Sequence, residues 1–281
     1  MKKIKKSLMA TFLVAAMLFC TFANTVPASA ATLTADQYLK KMGNALNKAK
    51  SYESTTTSVQ NVVADGTAMK TKKVQKFIFF ANPLKSKDVT TTTMRVNGKS
   101  SKAKTYTYIK KNAKGELISY VSLDGKKYDK MNISTYVDSL SSLDTSMYSN
   151  AKIVKTNVKV NNVNTVKISA QITGENMGKA LESAFAGLGI DDESSSAIDY
   201  SEMDPVKATI WVDKKTYRPV KISTDTTAFL NCYMAVLAQS MPDVDMDEAG
   251  NVSILYTEAT STVTYTKYNK ATNFKLPKAC K

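Results

Sequence analysis

The chain has 281 residues, 39 Lys and Arg against 24 Asp and Glu, a formal net charge of +15, and no histidine. The missing histidine excludes Ser-His and Cys-His nucleophile pairs and every histidine-bearing zinc site. Arg95 and Arg218 are the only arginines, so the positive charge lacks the forked groups that recognise phosphates and bases, and nucleic acid is not an expected partner.

At the N terminus, Lys2, Lys3, Lys5 and Lys6 precede an apolar run from Leu8 to Phe22, closed by Ala28-Ser29-Ala30. This is the pattern of a secretory signal peptide over residues 1–30, cleaved after Ala30. The run is too short, and too soon broken by Asn24 and Pro27, for a membrane span. Phe19 before Cys20 is too large for a lipoprotein-processing site, so the expected product is secreted or cell-surface associated and not lipid-anchored. Without the four leader lysines the net charge is +11. It suits either a solvated, edge-blunting surface or contact with an anionic cell-wall polymer or membrane surface.

The mature chain, 31–281, is expected to form a single domain. It opens with a helix capped by Thr34, in which Tyr38, Met42, Ala45 and Ala49 recur beside Leu39 and Leu46. Asp65-Gly66, Asn97-Gly98 and Asp124-Gly125 are hairpin signals, and they predict strands near 52–63, 67–80, 86–96, 104–111, 116–123 and 126–131. Phe77-Ile78-Phe79-Phe80 is apolar at each position, which predicts burial on both faces, the second beneath a helix or ligand. A second helix is predicted from near Ser134, with Tyr136, Leu140, Leu143 and Met147 on one face. Strands at 152–160 and 163–172 flank Asn161-Asn162. A third helix is predicted at 176–187, where Met177, Leu181, Ala184 and Leu188 form a stripe beside Phe185. The acidic, Ser-rich stretch 191–204 is expected to be a loop. Val206, Ala208, Ile210 and Val212 alternate in a strand that turns into 217–224. The apolar run 228–241 suits a buried helix, and 252–268 a last strand.

The sum is a mostly-β α+β fold of about 10–11 antiparallel strands with three or four helices. A sheet of that size curls into a half-open barrel, and helices cover its concave face. A groove of that kind accommodates hydrophobic ligands.

Catalytic and metal signatures fail inspection. Ser101-Lys102-Ala103-Lys104 and Ser149-Asn150-Ala151-Lys152 match the bare Ser-x-x-Lys pattern without its companion motifs. Asp243, Asp245 and Asp247 have the spacing of a calcium loop, yet Glu248 replaces the required glycine and Ile254 the closing acid. No enzyme activity, cofactor or metal is therefore expected. Cys232 and Cys280 permit one disulfide in an exported chain. Trp211 faces away from Ile210 and Val212, either under a helix or lining a groove.

Several segments resemble the bacterial lipoprotein carrier group (LolA-like) and the mycobacterial lipid-transport lipoproteins. They are the helix Ala35–Lys50 followed by Ser51-Tyr52, Phe77–Pro83, the run Ile210-Trp211-Val212-Asp213-Lys214-Lys215-Thr216-Tyr217-Arg218-Pro219-Val220-Lys221, and the closing Tyr265–Lys270 and Leu276-Pro277. The resemblance implies a half-open antiparallel barrel whose apolar cavity holds acyl chains. It favours an exported, non-enzymatic protein that takes up a lipid or another amphipathic molecule. Its groove would be lined by Met42, Leu46, Phe77, Phe79, Tyr136, Leu140, Leu181, Phe185, Ile210 and Val212. The alternative is a surface module binding cell-wall polymer or a protein partner, with the same residues forming a solid core.

Overall fold

A computed structural model describes residues 33–64, 66–133, 145–187, 199–240 and 254–280, the side chains of 182–187 and 237–240 excepted. In α1 (Ala35–Asn47), the Thr34 hydroxyl accepts from the Gln37 N–H at 3.3 Å, and Gln37 Oε1 accepts from the Thr34 N–H at 2.9 Å. This reciprocal cap satisfies two backbone donors that the first turn leaves free. Leu39, Met42 and Leu46 then fall on the buried side of the helix, as their spacing predicts.

Two meanders follow. The first is β1 (Ser51–Ala64), β2 (Thr67–Ala81), β3 (Leu84–Val96), β4 (Lys99–Lys111), β5 (Leu117–Ser122) and β6 (Asp129–Asn132). The second is β7 (Tyr148–Val160), β8 (Val163–Ile172), β9 (Val206–Asp213), β10 (Pro219–Asp225) and β11 (Ile254–Thr266). Asn97-Gly98 and Asn161-Asn162 turn with positive φ at both residues, the geometry whose twist matches an antiparallel hairpin. β1 pairs antiparallel with β11, and the result is one 11-stranded, curled antiparallel sheet that does not close.

Its two edges are blunted. β6 is four residues long and exposed throughout. β7 carries exposed Lys152, Lys155 and Lys159 and three breaks in its register with β8. Charge, brevity and irregularity are the devices that stop edge strands from recruiting another chain.

Side-chain alternation gives the sheet an inner and an outer face. On the inner face Val166, Ile168, Val206, Ile210, Val212 and Ile222 are at most 2 % exposed. They share a core with α1 and with α3 (Thr227–Ser240). The helices thus pack chiefly over β7, β9 and β11. Gly178 in α2 (Gly174–Gly187) lies against the short helical turn Tyr200–Glu202, and a Cβ there would sit 2.3 Å from Tyr200 Cγ. Gly178→Ala is accordingly expected to cost about 1–3 kcal/mol through overpacking, read as a lowered urea midpoint at unchanged slope.

A second, smaller cluster forms on the outer face of the first meander from Tyr108, Ile118, Tyr120 and Cys280, with Phe274 and Leu276 of the C-terminal tail. Phe80 also points outward, 6.1 Å from the Phe274 ring. On the second face of the Phe77–Phe80 run, where the sequence predicts a helix or ligand, Phe80 therefore packs against the chain's own tail. Glu53 secures that tail by accepting from the Thr272 N–H at 2.8 Å and from Lys267 Nζ at 3.1 Å.

Partial burial alone would raise the Glu53 pKa, but the hydrogen bonds from Thr272 and Lys267 outweigh it and hold the carboxyl below its ordinary 4.5. A carboxyl depressed on folding stabilises the fold above its unfolded pKa, and this contribution is lost as pH falls through the folded value. Acid titration below about 4.5 should therefore loosen the tail in the wild type. Glu53→Gln should remove that pH-dependent component, which amide exchange at Thr272 and Phe274 would monitor.

Candidate functional site

The inner face changes character across the sheet. At one end of β1 and β2, Tyr52 gathers Phe77, Phe79, Tyr265 and Tyr268, with ring centroids 6.0, 5.2, 5.8 and 6.1 Å away respectively. The Tyr268 hydroxyl donates to the Pro219 carbonyl at 2.7 Å, and burial pushes its pKa well above 10.0.

Two residues further along β2 the inner face turns polar. One row of laterally paired residues runs Thr56, Gln75, Thr90 and Thr105. The next runs Thr224, Ser261, Ser58, Lys73 and Thr92. Asp88 lies opposite Phe77 and accepts hydrogen bonds from Gln75 Nε2 and from the Thr90 hydroxyl, the latter at 2.7 Å. Desolvation raises the Asp88 pKa against those two hydrogen bonds and the nearby Lys73. Desolvation lowers the Lys73 pKa, opposed by Asp88. Burial thus penalises both charges, as it must where water is displaced from ionised groups.

The predicted lining residues divide on this map. Met42, Leu46, Phe79, Leu181, Ile210 and Val212 are all buried in the main core, and Phe77 is half-buried against it. Tyr136 and Leu140 lie outside the described residues, as does the Phe185 side chain. The sequence reading missed Lys73, Gln75, Asp88 and Thr90. A signal for one of them exists: Lys72 and Lys73 are adjacent in a strand, so they occupy opposite faces.

Two other expectations are corrected. Cys232 and Cys280 are both free thiols. Cys232 packs against the main core beneath the sheet, while Cys280 is 0 % exposed in the outer cluster. The sheet stands between the two clusters, and that separation prevents the bridge. Unreduced, denatured protein should titrate two thiols between these positions, and the native protein should react slowly at Cys280, where desolvation raises the thiol pKa. Among the described residues, Trp211 is not part of the helix-covered core. It stands on the outer face between its register neighbours Lys167 and Lys221, whose ammonium groups lie 5.5 and 4.7 Å from its ring.

A cleft of about 300 Å³ also occurs at the far end of the β1–β2 and β2–β3 hairpins. Asn61, Val63, Ala68, Lys70 and Arg95 line it. By register these five share the outer face, while Val62 and Met69, which also line the cleft, belong to the inner face. Among the described residues, no group of three or more Cys, Asp or Glu side chains could hold a metal ion.

No family model matches the chain, and no curated protein matches it. Among solved structures it is similar to LprF from Mycobacterium bovis, at 12 % identity over 87 % of this chain and 96 % of that one, with a TM-score of 0.45. It is also similar to a domain assigned to outer membrane lipoprotein sorting from Vibrio parahaemolyticus, at 11 % identity over 82 % and 89 % and a TM-score of 0.27. A third likeness is to a DUF1329 family protein from Desulfovibrio piger, at 8 % identity over 87 % and 96 % and a TM-score of 0.27.

Proposed function

We propose that this is an exported, non-enzymatic binding protein, with Ala31 as its mature N terminus, that takes up an amphipathic molecule of the lipid class on the inner face of β1–β3. The observation that carries the proposal is the amphipathic character of that face. Half-buried Phe77 continues an aromatic cluster at one end, and hydroxyl, amide and charged side chains adjoin it at the other. A wholly apolar ligand would leave the polar band without partners, and a wholly polar one would gain nothing from the aromatic end. The packed residues Met42, Leu46, Leu181, Ile210 and Val212 serve this reading as the rigid wall behind the site.

Their close packing also favours a second reading, a surface module with a filled core and no ligand, engaging an anionic cell-wall polymer or a protein partner. Uptake of a fluorescent fatty acid separates the two. Under the first reading the mature protein binds the probe saturably, and organic extraction of purified protein releases an acyl species. Phe77→Ala should then weaken the probe about tenfold, equivalent to losing ~1.5 kcal/mol of apolar contact. Absence of saturable binding together with a lipid-free extract would leave the packed-module reading standing.

A further inference from the structure

We propose that Lys73 recognises the head of the ligand, and that the head is an anionic oxygen group, a carboxylate or phosphate. The inference rests on the inner-face binding reading and adds the ligand's charge and orientation to it.

The position is unusual for a lysine in this chain. By register with Ser58 and Thr92, Lys73 stands on the inner face midway along β2, whereas Lys70, Lys72 and Lys76 alternate to the outside. It is half-buried, and desolvation disfavours its charge. Among the described residues it has neither a hydrogen bond nor an ion pair, and the carboxylate that acts on it, Asp88, is already engaged by Gln75 and Thr90. A half-buried ammonium that desolvation disfavours and that has no close counter-ion is costly to keep, and a ligand anion would reduce that cost.

Its surroundings suit an oxyanion. Ser58 and Thr92 flank it in the same row, and Ser58 and Ser261 share a hydrogen bond of 2.9 Å. Beyond Ser261 the same row reaches Thr224, whose buried hydroxyl has no hydrogen-bond partner. Hydroxyl donors placed beside an ammonium supply the directed contacts that a carboxylate or phosphate needs. The spacing also fits an amphipath. Phe77 lies four residues along the same face, about 13 Å away at strand rise, so an acyl segment on the aromatic end leaves a head at Lys73.

The test uses two probes of the same chain length and fluorophore, a fatty acid and its methyl ester, titrated into the full mature protein. Wild-type protein should bind the acid at least tenfold more tightly than the ester. Lys73→Met should bring the acid down to the affinity of the ester and leave the ester unchanged. Lys73→Arg should keep a preference for the acid, as should Lys72→Met, which removes an outer-face charge one residue away. Equal affinity of the two probes for wild-type protein would overturn the assignment of Lys73 while leaving uptake on the inner face intact. A preference that survives in Lys73→Met would do the same. Failure of both probes to bind wild-type protein would remove the binding reading itself, and this inference with it.

Discussion

The pairing of β1 with β11 is the constraint on which the other features depend. Twelve residue pairs, from Glu53 with Thr266 to Ala64 with Ile254, join strands some two hundred residues apart in sequence. Each meander can form from local hairpins, but neither has a common inner face with the other until this pairing is made. The Ser58–Ser261 and Asn61–Glu258 hydrogen bonds lie across it, on the inner and outer faces respectively. So long-range a closure costs loop entropy before it is rewarded, which makes it the step expected to limit folding. The C-terminal tail then returns from β11 across the outer face to Glu53 and Phe80, adding contacts to the same junction.

Once the meanders are joined, the composition of the inner face decides where the helices settle. The β7–β11 half presents Val, Ile and Ala at the inward positions of β8–β10, and α1 and α3 bury against it, chiefly over β7, β9 and β11. The β1–β4 half, past the aromatic end at Tyr52, Phe77 and Phe79, presents Ser54, Thr56, Ser58, Gln75, Asp88, Thr90 and Thr107. An apolar helix face laid over those side chains would strip their water and return no hydrogen bonds, at a cost of ~1–3 kcal/mol for each unsatisfied group. The described helices accordingly concentrate on one half of a sheet that is continuous throughout.

The strands were legible in the sequence because two independent local signals agree in it. Asn-Gly, Asp-Gly and Asn-Asn turns fix where strands end, and period-two alternation in segments such as Val206–Val212 fixes which side is buried. The apolar character of the helices was equally plain. What alternation cannot supply is the identity of the layer that covers each face. The sequence assigns Trp211 to the face opposite its buried neighbours and the Phe77–Phe80 run to burial on both faces, yet the tail packs on Phe80 and two lysines flank Trp211. The same limit explains the disulfide. Cys232 and Cys280 are compatible as a pair in composition and compartment, and only the sheet between their clusters forbids them. Six of the ten predicted lining residues are buried in the main core cluster, and a stripe facing a groove and a stripe facing another helix have the same sequence period.

The contrast between the outer lysines and Lys73 follows from the same alternation. Lys85, Lys87, Lys110, Lys167 and Lys221 extend over the rings of Phe80, Tyr108, Tyr120 and Trp211, at 4.7 to 5.9 Å. Their stems cover apolar surface while the ammonium groups stay at the surface, so the basic outer face carries its charge at little cost. Lys73 faces inward instead, and desolvation disfavours its charge. Its strand neighbours carry short hydroxyl side chains, Ser58 and Thr92, and its nearest electrostatic partner is a carboxylate that burial itself discourages from ionising. Replacing an inward Lys at this position by an apolar residue would relieve that penalty, so a stability argument alone gives no reason for the lysine to be there. Its presence is better accounted for by something that binds the charge than by anything the folded chain itself gains from it.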